Sequence, residues 1–195
     1  MNYCSNPCFQ LSRVPELVRR GRKIFHALGM SLALAMLVAR LTVVPALADT
    51  PLAKPSGRVI LTISGAIDHT NADGHAEFDR KMLEQLGTTA FATSTTWTDG
   101  TPEFEGVLAR DILKAVGAHG TTALAVALND YSFEIPIADF TAYPVLFALK
   151  MNGVELTARD KGPIWIVYPR DQHRELQNQL TEAKWVWQLA RIDVR

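Results

Sequence analysis

The two cysteines of this 195-residue chain, Cys4 and Cys8, both stand ahead of a segment with the pattern of an export signal. Removal of that segment leaves a domain without a thiol. Such a domain must be held by its packed core, with no disulfide, no thiolate nucleophile and no metal bound through protein sulfur.

The signal has three parts. Arg13, Arg19, Arg20, Arg22 and Lys23 supply a basic start, an apolar stretch runs from Ala27 to Ala39 and resumes after Arg40, and Ala46-Leu47-Ala48 ends it ahead of Asp49. This pattern predicts a signal peptide over residues 1–48, cleaved after Ala48, and a periplasmic or secreted protein. The apolar stretch is close to the roughly 20 residues that span a bilayer, so an uncleaved signal would act as a membrane anchor. Pro45 and the small residues after it suit a processing site better than a helix interior. The Arg19-Arg20 pair is a loose match to twin-arginine export.

Without residues 1–48 the chain keeps 147 residues, with 14 basic against 19 acidic side chains. That length supports one domain with a single core. A mildly acidic surface without basic runs argues against nucleic acid and against an anionic lipid surface as partners.

Residues 49–57 combine Pro, Gly and polar residues and read as a tether to a domain over 58–195. Residues 59–65 are rich in β-branched side chains and end on Gly65, which predicts a strand. Residues 68–74 read as a turn. Phe78, Met82, Leu83 and Leu86 recur at helical spacing up to Gly87, and 88–97 suit an extended segment. The spacing over 107–117 predicts a helix stopped by Gly117. Strands are predicted over 123–128 and 131–137 around an Asn129-Asp130 turn, and over 147–151 and 154–156 around Asn152-Gly153. An apolar strand over 164–168 stops at Pro169, and alternation over 185–194 closes the chain. Hairpin-linked strands with two or three short helices predict a compact, strand-rich α+β domain.

One ordered series adds to this pattern. It consists of Phe104-Glu105-Gly106-Val107 with Asp111-Ile112-Leu113, then Asn129-Asp130-Tyr131, Met151-Asn152-Gly153, Gly162-Pro163-Ile164-Trp165 up to Pro169, and Lys184-Trp185. The series resembles the molybdopterin-binding domain of sulfite-oxidase-type oxidoreductases and covers about residues 57–195. The resemblance implies that fold, and in active relatives a cysteine thiolate on molybdenum beside a pterin cleft rich in Arg, His and Asn. If Trp97 matches the tryptophan that follows the cysteine in some bacterial relatives, the ligand position falls near Thr93 or Ser94, whose neutral hydroxyls are poor metal ligands. The arginine of the family's Gly-Pro-x-Arg is Trp165 here, which leaves scattered charges such as Arg170 and Arg174.

These residues set the functional expectation. They predict no catalytic residue, no metal ligand and no cofactor, with molybdopterin as the alternative. The candidate cleft is Thr93, Ser94, Trp97, Asp99, Asp130 and Tyr131, where aromatic rings supply area and Asp supplies orientation. The implied function is an exported, non-catalytic binding, sensor or accessory module, and the alternative is a reduced but active molybdopterin-dependent oxidoreductase. Its partner would be a small molecule or an extracytoplasmic or membrane signalling protein. His69 and His75, with Asp68 and Asp73, match no common metal spacing and read as solvated turn residues.

Overall fold

Alternating side chains build the first sheet. In β1 (Val59–Gly65), Leu61 and Ile63 have no exposed surface, while the alternate residues Thr62 and Ser64 stay partly exposed. The last strand, β10 (Leu189–Val194), runs parallel to β1, and β2 (His75–Asp79) lies antiparallel on its other side. On β5 (Thr122–Ala127) the inward residues are Ala123, Ala125 and Ala127, and β6 (Ser132–Pro136) completes the order β2-β1-β10-β5-β6. The structure, a computed structural model, describes residues 52–195, so the expected signal peptide lies outside the described residues.

A second sheet has the order β3 (Thr89–Ala92), β4 (Glu103–Leu108), β7 (Leu146–Met151) and β8 (Val154–Glu155), with β9 (Trp165–Val167) also on β7. One continuous apolar cluster takes residues from both sheets, including Ile63 and Ile192 of the first and Phe104, Phe147 and Trp165 of the second. Short helices fill the connections: α1 (Arg80–Gln85), α2 (Ala109–Ala115), α3 (Ile137–Ala142) and α4 (Gln179–Ala183). The architecture is the expected strand-rich α+β class.

The hairpin signal at Asn152-Gly153 holds in detail. Both residues have positive φ, 51° and 75°, as the favoured two-residue turn between antiparallel strands requires. Three expectations shift. Residues 107–108 belong to β4 and the helix begins at Ala109, because pairing with β7 overrides the helical spacing. Phe78 lies in β2, opposite Leu61. Trp185 to Trp187 are not strand, and β10 starts only after Gln188, whose φ is 53°. Helices α3 and α4 carried no recognised signal.

Asp79 ends β2 and starts α1. Its carboxylate is buried and accepts the Met82 N–H at 2.8 Å, which caps the helix, and the Ser56 and Gly57 N–H groups at 2.8 and 2.7 Å. The end of the segment before β1 is thereby fastened to the domain. The N–H groups of Met82 and then Gly57 and Ser56 hold this carboxyl below its ordinary value.

Gly106 sits where β4 slips register against β7. A β-carbon there would lie 2.2 Å from the Phe147 carbonyl oxygen and 2.7 Å from the Ala148 Cα, both backbone atoms. Only glycine lets the strands approach this closely.

Two stability measurements follow. Gly106→Ala forces β4 from β7 and should cost about 2–3 kcal/mol by urea unfolding. Asp79→Ala loses the cap and should cost about 1–2 kcal/mol at neutral pH. The folded-state pKa of Asp79 is depressed, so its contribution is complete above about pH 4 and is lost as pH falls through the folded value. The stability gap between the parent chain and Asp79→Asn should therefore close in acid.

Candidate functional site

Four aromatic rings line an open pocket. The chain leaving α4 carries Trp185 and Trp187 two residues apart, a spacing that places extended-chain residues on one side. Trp97, from the loop after β3, packs 5.9 Å from Trp185 and 5.8 Å from Trp187 between ring centroids. Tyr131, just past the β5–β6 turn, forms the facing wall with Trp97, Trp185 and Trp187. Asn129, Glu182 and Ala183 complete a cavity of about 320 Å³. That is at the lower end of small-molecule sites.

The walls are fixed from behind. Trp165 is fully buried, meets Trp97 at 6.3 Å, Trp185 at 6.0 Å and Phe104 at 5.2 Å, and so joins the pocket to the core of the second sheet. The Lys161 ammonium lies over Trp165 and Trp187 at 5.4 and 5.6 Å. Tyr131 Oη donates to the Ala183 carbonyl at 3.0 Å. At the end of α4, Lys184 Nζ pairs with Asp139 at 2.7 Å, and Tyr168 Oη donates to the same carboxylate oxygen at 3.1 Å. Burial above all, with the Asp139 charge, pushes the Tyr168 hydroxyl up. Asn178 caps α4 by accepting the Thr181 N–H at 2.9 Å.

Thr93 and Ser94, the expected ligand position, are already engaged. Ser94 donates its N–H and its hydroxyl to the two oxygens of Asp171, each at 2.6 Å, and its Oγ accepts from Arg170 Nη1 at 3.0 Å. The buried Thr93 Oγ1 accepts the Asp171 N–H at 3.1 Å. The Ser94 hydroxyl, then its N–H and the Arg170 charge, holds the Asp171 carboxyl below its ordinary value. The clamp ties the loop carrying Trp97 to the segment after β9.

The six candidate residues therefore divide. Trp97 and Tyr131 line the pocket, and Thr93 and Ser94 anchor the loop that bears Trp97. Asp99 is exposed and Asp130 pairs with Arg191 at 3.3 Å, and neither lines the cavity. The carboxylate in the lining is instead that of Glu182. Glu182, Asn129 and Trp187 were missed in the sequence, although the Trp185-x-Trp187 spacing was a usable signal. Trp185 is buried, as its core reading required, yet also forms pocket wall. His75 bonds the Asp73 carbonyl and Glu77, and no three His, Cys, Asp or Glu side chains converge among the described residues.

The residues fit one half of a molybdenum–pterin group. For the metal, the chain offers hydroxyls already committed to Asp171, and residues 52–195 contain no sulfur donor of the thiolate kind; a metal held by a protein thiolate does not fit. For the pterin, a flat ring with polar edges, the aromatic cavity fits. The rings of Trp97, Tyr131, Trp185 and Trp187 supply stacking faces, and Asn129 and Glu182 in the same lining supply polar groups for its edge.

The model of the family described as oxidoreductase molybdopterin binding domain matches residues 73–192. Among solved structures, the sulfane dehydrogenase SoxCD from Paracoccus pantotrophus superposes with a TM-score of 0.52 at 17% identity, over 69% of this chain and 37% of that one. The fold is thus shared, while this chain spans well under half the length of that protein. No curated protein matches the sequence. The family match corrects the expectation that no cofactor is involved, because the domain matched is one defined by molybdopterin binding. That expectation rested on the missing cysteine and on the lost arginine at Trp165, neither of which decides whether the chain binds a pterin. By sequence over most of its described length, and by fold, the chain belongs to the oxidoreductase molybdopterin-binding domain family.

Proposed function

We propose that this chain is an exported, non-catalytic binding module that holds a small planar ligand in its aromatic pocket and serves as a sensor or accessory subunit. The observation that carries the reading is the Ser94–Asp171 clamp. Where the resemblance places a metal-ligating thiolate, the chain has a hydroxyl engaged by a carboxylate at 2.6 Å and by an arginine at 3.0 Å. A neutral hydroxyl in that arrangement is a weak ligand for a metal already bound by soft sulfur.

The pocket suits retention of a ligand. Trp97 and Tyr131 are partly exposed at its rim, while Trp185 is buried in its wall. Each ring stacked on a flat ligand contributes about 0.5–1.5 kcal/mol beyond the apolar area it buries. The family's pterin is the first ligand class this reading supports, since it supplies a flat redox-active ring and the chain's own residues stack on it, exclude water and orient its edge. Export is supported by the basic, apolar and Ala-Leu-Ala succession before Asp49. The acidic balance of residues 49–195 supports a small molecule or a protein partner over nucleic acid.

The test uses protein exported by a host that makes molybdopterin. Intact mass should place its N-terminus at Asp49. Pterin and molybdenum are measured on the same sample, alongside dye-linked turnover of sulfite and of S- and N-oxides. The expected outcome is no turnover at any pterin content. Turnover that rises in proportion to bound molybdenum would contradict the non-catalytic reading.

A further inference from the structure

One carboxylate in the pocket makes no hydrogen bond among the described residues. Glu182 lines the cavity from α4, and its only pairing is with Arg170 Nη2 at 4.0 Å, beyond hydrogen-bond reach. Asn129, in the same lining, uses its Oδ1 to accept the Tyr131 N–H at 3.1 Å, which leaves both hydrogens of its Nδ2 as unused donors. The surrounding walls are the rings of Trp97, Tyr131, Trp185 and Trp187. The pocket thus offers a flat ligand an anionic acceptor and a neutral donor on an otherwise aromatic surface.

That combination discriminates among heterocycles. A 2-amino-4-oxopyrimidine ring, as in pterins and guanine, carries an exocyclic N–H and a ring N–H side by side, and a carboxylate accepts both in a fork. The adjacent ring carbonyl then suits an amide donor such as Asn129 Nδ2. An adenine edge sets a ring lone pair beside its amino group, so one carboxylate oxygen would face a lone pair. A 2,4-dioxo ring replaces the amino donor with a second carbonyl, and the carboxylate again meets an acceptor. Once a ligand covers Glu182 and Asn129, an edge that leaves one of them unpaired discriminates more strongly than apolar shape does.

We propose that Glu182 is the residue that selects the ligand, reading the 2-amino-4-oxo edge of a pterin- or guanine-type ring while Asn129 donates to the neighbouring carbonyl. The assignment rests on the pocket being the ligand site, as proposed above. Glu182 is a specificity residue in this scheme and transfers no proton.

The exported chain is titrated with pterin, guanosine, lumazine and adenosine, followed by tryptophan emission and by calorimetry. Pterin or guanosine should bind at least tenfold more tightly than lumazine and adenosine, and whichever of the two leads identifies the source as a pteridine or a purine. Glu182→Gln, a change on a partly exposed side chain, should keep the parent's unfolding midpoint within error. It should weaken binding of the preferred ring tenfold or more and erase its preference over lumazine. Trp97→Ala should weaken all four probes together. Equal binding of lumazine by the parent chain, or unchanged affinity in Glu182→Gln, overturns the role of Glu182 while leaving the pocket as a site. Failure of all four probes to bind the parent chain overturns the pocket reading and this assignment with it.

Discussion

The burial of Trp165 makes the core and the candidate site one structure. Its ring has no exposed surface, and it stands against Phe104 of β4 on one side and against Trp97 and Trp185 of the pocket on the other. The resemblance gives this position an arginine in relatives. An indole there puts an apolar body in place of a charge and packs the pocket onto the second sheet. The cavity therefore has aromatic walls with rigid support.

The Ser94–Asp171 clamp does for the loop what Trp165 does for the walls. Asp171 follows β9, and it holds the backbone and the side chain of Ser94 together while Thr93 is held from the same segment. Trp97 is three residues further on and inherits that fixed position. Near the position where the resemblance places a metal ligand, the loop carries hydroxyls engaged by the segment of Asp171, and Trp97 after them lines the pocket. The lowered carboxyl of Asp171 is the electrostatic signature of that arrangement, because its charged form accepts both Ser94 donors.

How much of this was legible in the sequence depended on the range of the interaction. Asn152-Gly153 announced its hairpin because the turn is set by two adjacent residues. The strand at 59–65 was equally local. Residues 107–108 were misread as helix because their strand pairing with β7 lies some forty positions away. Trp97 and Tyr131 were found because they flank turns whose residue types are distinctive. Glu182 was not, since nothing near it in the chain shows that α4 faces the β5–β6 turn, and Asp99 and Asp130 were chosen in its place. The missing cysteine, with the lost arginine at Trp165, was taken as the loss of the whole cofactor, which the family match corrected.

The central claim is that the family's cleft is kept as a ligand pocket while the metal-ligand position is closed. A crystal structure of the chain exported from a host that makes molybdopterin would test it most directly. The account predicts that any bound group lies between Trp97, Tyr131, Trp185 and Trp187, with Ser94 still hydrogen-bonded to Asp171. A metal bonded to the oxygen of Ser94 or Thr93, with the Asp171 contact broken, would contradict it.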